Sequence, residues 1–218
     1  MTISENVAQA IQNLRNLRED HKLIGKYLLK DTFFPPDILA VAVLNRSMCL
    51  VSGFASLVEA QNLVAAAPFV RLQLDNGLRF FAASLVDSAD DFTMQVLNGT
   101  AIRKLKDKSG KNLTDQYLVD TLAAQQPWIT SVYAETCGYV HFSEKHIFNS
   151  LRLKGDRGAF EGKISDVDAY VPEAIYLEAI GAFTEATKLT LKLVHAWATQ
   201  KDREEAAKSK SSSGESSI

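Results

Sequence analysis

The segment from Pro68 to Val86 constrains this chain more than any other, because it is apolar on nearly every side yet carries Arg71, Asp75 and Arg79 at four-residue intervals. Phe69, Val70, Leu72, Leu74, Leu78, Phe80, Phe81 and Leu85 leave little surface for water. A helix of that kind belongs in the middle of a bundle. Residues four apart share one helical face, so the three charges form a line and Asp75 can pair with both arginines. Charge on a central helix must be paired or hydrogen-bonded, since an isolated ion in the interior is costly. Arg46 and Glu59, the charges in the preceding apolar stretch, are the expected partners. Two readings follow: a salt-bridge network that fixes helix register, or a polar pocket with an arginine clamp for phosphate or carboxylate.

The rest of the chain reads as further helices. Ser4 caps a first one through Val7, Ile11, Leu14, Leu17, Ile24 and Leu28, and Pro35-Pro36-Asp37 opens a second. Gly53 marks a bend or a close crossing, and the helical pattern runs on through Val64 until Pro68 starts the central helix. Asp87 to Asp91 opens a short helix that Gly99 closes; Thr114 or Asn112 caps another to Gln126, and Pro127-Trp128 begins one that reaches Tyr139 or His141. The period then changes around Gly155-Asp156-Arg157-Gly158, flanked by Phe148, Leu151, Leu153, Phe160 and Ile164, which predicts a hairpin over about 147–165. A long helix follows from Pro172 through Trp197. The fold class is therefore all-α, a bundle of about six helices with one small hairpin, as a single domain over 1–207 with a disordered tail over 208–218.

Composition narrows the function. With 24 Lys and Arg against 26 Asp and Glu, the whole molecule lacks the field that draws a phosphate backbone from solution. The basic run Arg103 to Lys108 reads as a solvated loop. Two cysteines, Cys49 and Cys137, form neither a disulfide framework nor a zinc site and read as buried thiols of a reducing compartment. The polar N-terminus is no secretory signal, and the apolar stretch from Ser47 to Val70 is interrupted by Glu59, Gln61, Asn62 and Pro68, so a cytoplasmic protein that does not span a membrane is expected. Phosphate-loop, dinucleotide, nucleophile-elbow and zincin signatures are absent.

A second constellation, Glu135 to His146, holds two of the four histidines. His141 suits acid-base work near neutral pH, and an arginine nearby would stabilise a phosphoryl transition state. The set Glu135, His141, Glu144 and His146 matches no zinc or di-iron spacing, so no metal and no cofactor is expected. His21 reads as solvated within its charged run, His195 as packed on the last helix, and Trp128 and Trp197 as core anchors.

Two segments, Ala66-Ala67-Pro68-Phe69-Val70-Arg71 with Asp75, and Gly138-Tyr139-Val140-His141-Phe142-Ser143, resemble parts of bacterial HEPN-like and abortive-infection-type helical proteins. The likeness covers Leu44 to Ser150. It implies a HEPN-like bundle, often a homodimer, with Arg71 and His141 as its conspicuous polar groups and, in active relatives, metal-independent RNA cleavage. Active members are similar in carrying an arginine four to six residues before the histidine; here Glu135 to Val140 contain none. The expected site is thus His141 as acid-base group, Arg71 or Arg79 as phosphate clamp, and Asp75 and Glu135 orienting them, acting on RNA or nucleotides in stress or phage defence. The other readings are a non-catalytic helical dimer serving as a protein-interaction module, and a metal-dependent bundle enzyme.

Overall fold

A computed structural model describes residues 3–30, 32–141, 143–154, 159–168 and 170–214, with side chains described as far as residue 202. Among them are eight α-helices and one two-stranded antiparallel sheet. The helices are α1 (Glu5–Leu28), α2 (Pro35–Glu59), α3 (Leu63–Phe81), α4 (Ala89–Leu97), α5 (Asp115–Ala123), α6 (Trp128–Val140), α7 (Glu144–Ser150) and α8 (Glu173–Gly214). The strands β1 (Leu151–Lys154) and β2 (Ala159–Gly162) stand between α7 and α8. The fold is all-α with a small hairpin, as expected, and the short α7 is the helix that the periodicity does not announce. The turn residues Gly155 to Gly158 lie outside the described residues. The hairpin starts later than 147 because Ser143 and His146 cap α7, placing Ile147 and Phe148 on a helix. At the other end α8 runs on to Gly214, past the start expected for the tail, and 215–218 lie outside the described residues.

The corner between α2 and α3 is sharper than the periodicity suggests. Gln61 adopts φ 55°, and the amides of Gln61 and Asn62 donate back to the carbonyls of Val58 and Leu57. These two bonds close α2 with a left-handed residue, satisfying carbonyls the helix end would otherwise orphan. Asn62 then caps α3 by accepting from the Ala65 amide, so the helix begins at Leu63 and Pro68 lies inside it. Asp168 locks the same corner from the far side of the hairpin: its carboxylate accepts from the Leu63 amide at 2.6 Å and its own amide donates to the Gln61 carbonyl at 2.7 Å.

Helix α3 is central, packed against α2, α5, α6 and α8. Two glycines permit this. A Cβ on Gly53 would stand 2.7 Å from the Phe69 ring, and one on Gly77 would stand 3.0 Å from Thr190 Oγ1, so α2 approaches α3 at its own Gly53 and α8 approaches α3 at Gly77 of α3. One core cluster joins α1, α2, α3 and α8 around Phe54 and Phe183, whose rings stack at 4.2 Å. A second gathers Leu74, Leu78, Phe92, Leu113, Leu118 and Ile129 under α4, α5 and α6. By length and composition α2 could cross a membrane, but Leu50, Val51, Phe54, Ala55 and Val58 of its second half pack in the first cluster.

Candidate functional site

The charged stripe on α3 does not point into the bundle centre. The fully buried polar residues of that helix are Gln73 and Asn76, while the Arg71, Asp75 and Arg79 side chains are 17, 28 and 25% exposed, at the seam where α3 meets α5 and α6. The seam supplies most of their partners. Arg79 Nε donates to Asp75 Oδ1 at 2.9 Å, and its other arm binds the Asp115 carboxylate at the start of α5. Arg71 lies 3.8 Å from the other Asp115 oxygen, donates to the Tyr133 carbonyl at 3.3 Å, and holds its guanidinium carbon 3.3 Å from the centre of the Tyr133 ring. Burial draws the Arg79 pKa down, but the charges of Asp75 and Asp115 more than offset that and raise it.

Arg46 joins the seam at 3.6 Å from Asp75 and bonds Asn76 at 3.4 Å. Glu59, the other expected partner, faces α1 instead and binds Arg15, with one contact at 2.8 Å. Three guanidiniums thus meet two carboxylates, and each carboxylate bridges two arginines. Asp115 is the member that spacing along α3 could not reveal, since it arrives from another helix 36 residues after Arg79.

The second constellation divides around α6. Arg71 reaches one side of that helix, where it donates to Cys137 Sγ at 3.5 Å, one turn before His141. His141 itself ends α6: its amide donates to the Cys137 carbonyl, and among the described residues its exposed ring makes no hydrogen bond or ion pair. Glu135 belongs to a different side. It pairs with Lys145 of α7, whose Nζ also donates to the Glu135 carbonyl at 3.2 Å and stands 4.9 Å from the centre of the Tyr139 ring. The hydrogen bond from Lys145 lowers the Glu135 pKa, and burial raises that of the Tyr139 phenol. The five expected site residues therefore form one cluster of three plus two separate positions, and Glu135 does not orient His141. His146 accepts from the Ser143 amide through Nδ1 at 3.2 Å as a cap of α7. Among the described residues no three His, Cys, Asp or Glu side chains converge as a metal-binding group.

Several polar groups hold deeper positions than their sequence context suggests. His21 is 2% exposed: Nδ1 faces the Leu17 carbonyl and Nε2 the Ser47 hydroxyl, both at 2.7 Å. Ser47 accepts in turn from Gln73 Nε2, which also reaches Thr187 Oγ1 at 3.1 Å, so a line of polar side chains crosses α1, α2, α3 and α8. Cys49 and Cys137, expected to be buried, are both exposed, and Trp197 is half-buried with its indole N–H on Asp37 at 2.7 Å. His195 is exposed and stacks on Tyr27 at 5.9 Å.

His21 gives this line a pH dependence of definite sign. Burial lowers its pKa, opposed in part by the Leu17 carbonyl and Asp20. The unfolded histidine takes its proton at about pH 6.5 and the folded one only at lower pH, so stability is full above that value and declines as pH falls below it. Thermal unfolding followed by circular dichroism is expected to show a falling Tm in that window, at a slope of up to about 1.4 kcal/mol per pH unit. His21→Gln, which cannot titrate, is expected to flatten the slope; an unchanged slope would assign it to other groups.

The chain matches no protein-family model, no curated protein and no solved structure.

Proposed function

We propose that the chain is a non-catalytic helical module that works as a homodimer, joined to its second copy through the hairpin and α7. The observation that carries this reading is the open apolar face of the hairpin. Leu153 and Phe160 are cross-strand partners, yet they are 67 and 68% exposed, and Phe148 on the preceding α7 is equally bare. The opposite face is already satisfied, with Arg152 on Glu161 at 2.7 Å and over the Tyr170 ring. An isolated two-stranded ribbon is marginal in water, and a contiguous apolar patch marks a contact surface. Two ribbons related by a two-fold axis would bury both patches, and among the described residues each ribbon has strand edges with no further strand on them. The seam supports the same reading, because the charges of Arg71 and Arg79 are met within the fold by Asp115 and Asp75, although Arg79 Nη1 is buried without a hydrogen-bond partner among the described residues. Sedimentation equilibrium is expected to give a dimer that Leu153→Glu with Phe160→Glu weakens at least about tenfold, or 1.4 kcal/mol. A wild-type chain that stays monomeric throughout overturns the reading.

A second reading, a HEPN-like protein acting on RNA or nucleotides in stress or phage defence, is favoured by one observation: Arg71 touches Cys137, one turn before His141 on the same helix. Its sign is cleavage of labelled total RNA that survives EDTA and disappears in His141→Ala. No cleavage by the wild-type protein, or equal cleavage by the variant, removes it.

A further inference from the structure

A cavity of about 330 Å³ opens between α3, α6 and α8, on the side of α6 away from Arg71. Small side chains line it where the three helices converge, Ala67 on α3 and Ala179 and Ala182 on α8. The size falls at the lower end of small-molecule sites. Its floor is apolar, formed by residues such as Leu63, Val70 and Ile175. Its polar side is unbalanced: Glu135 and Glu178 oppose the single ammonium of Lys145, and among the described residues Glu178 has no ion-pair partner.

The position of Lys145 says what this mouth accommodates. Its ammonium is held by the Glu135 carboxylate and by the Glu135 carbonyl, and lies near the Tyr139 ring. A carboxylate, a carbonyl oxygen and an aromatic ring are the groups that recognise an organic ammonium. The protein's own lysine fills that place from the rim, while the apolar floor beneath is left open.

We propose that this cavity binds a small organic cation, an amine with a compact apolar body, whose ammonium sits between Glu135 and Glu178 and whose body occupies the floor against Ala67 and Ala179. Lys145 is then a competitor that the ligand displaces from Glu135. A carboxylate ligand has no such place, because the free charge at the mouth is negative. The cavity uses no hairpin residue and takes only Lys145 from α7, so the Leu153→Glu with Phe160→Glu variant that tests the dimer leaves the cavity lining unchanged.

Isothermal titration with phenethylamine, 2-phenylethanol and 3-phenylpropionate tests the charge requirement with one apolar body. Phenethylamine is expected to bind, the alcohol at least fivefold more weakly, and the carboxylate not at all. Glu178→Gln is expected to weaken the amine at least threefold, and Lys145→Met to tighten it by a similar factor by removing the competitor. Ala179→Leu fills the floor with a good helix former and is expected to abolish binding while the circular dichroism and Tm remain those of the wild type. The proposal is overturned if the amine does not bind, if alcohol or carboxylate binds as well as the amine, if Lys145→Met weakens it, or if a folded Ala179→Leu binds it unchanged.

Discussion

Replacing Lys201 with methionine is expected to cost about 3–5 kcal/mol of folding free energy, the usual penalty for breaking a buried ion pair from one side. The reason lies in what the ammonium leaves behind. Asp37 is 0% exposed and Lys201 3%, their charged atoms 2.9 Å apart. Lys201 also donates to the Leu28 carbonyl at 2.9 Å, which the end of α1 leaves without a helical partner, and Asp37 accepts from the Phe34 amide and the Trp197 indole. One pair therefore fastens α8 to the end of α1 and the start of α2. Without the lysine, Asp37 keeps two hydrogen bonds but no counter-charge in a site closed to water. Asp37→Asn is expected to be costly for the mirror-image reason, while the double variant recovers much of the loss because no charge is left unpaired. Urea unfolding of the four proteins measures the coupling; additive losses would show that the two charges act independently.

How much of this the sequence makes legible depends on whether the partner is local. The line of Arg71, Asp75 and Arg79 follows from helical spacing, and so does the Asp75–Arg79 bond at 2.9 Å. Asp115 does not, because nothing in the order of residues says that the first turn of α5 docks on α3. Some burial was readable and is masked by neighbouring charge. His21 falls in step with Leu14, Leu17, Ile24 and Leu28 along the apolar side of α1, and only Arg18, Glu19, Asp20 and Lys22 around it suggest a solvated residue. Lys201 likewise continues the steps of Leu191, Val194 and Ala198 on α8. A polar residue standing in an apolar line signals a buried partner. The exposure of Cys137 has the opposite cause: α6 packs through Ile129, Val132 and Thr136, which turns Cys137 outward.

Asp115→Ala should separate an architectural seam from a ligand clamp. The carboxylate bridges Arg79 and Arg71, and its removal leaves two guanidiniums, 25 and 17% exposed, at the same seam without their shared counter-charge. Asp115 is itself 39% exposed, so water softens the loss well below that of a closed pair, to about 2 kcal/mol. Asp115→Asn keeps acceptor geometry on one oxygen and is expected to lose less. If the seam is architectural, Arg71→Met and Arg79→Met restore part of the stability of Asp115→Ala, since each removes one of the stranded charges. If the arginines are instead held ready for an anion, Asp115→Ala frees them, and sulfate or phosphate raises the Tm of that variant well beyond the rise seen for the wild type, while the arginine substitutions abolish the effect. Calorimetry across the series reads both outcomes, and rescue of stability without an anion response is the result the dimer module requires.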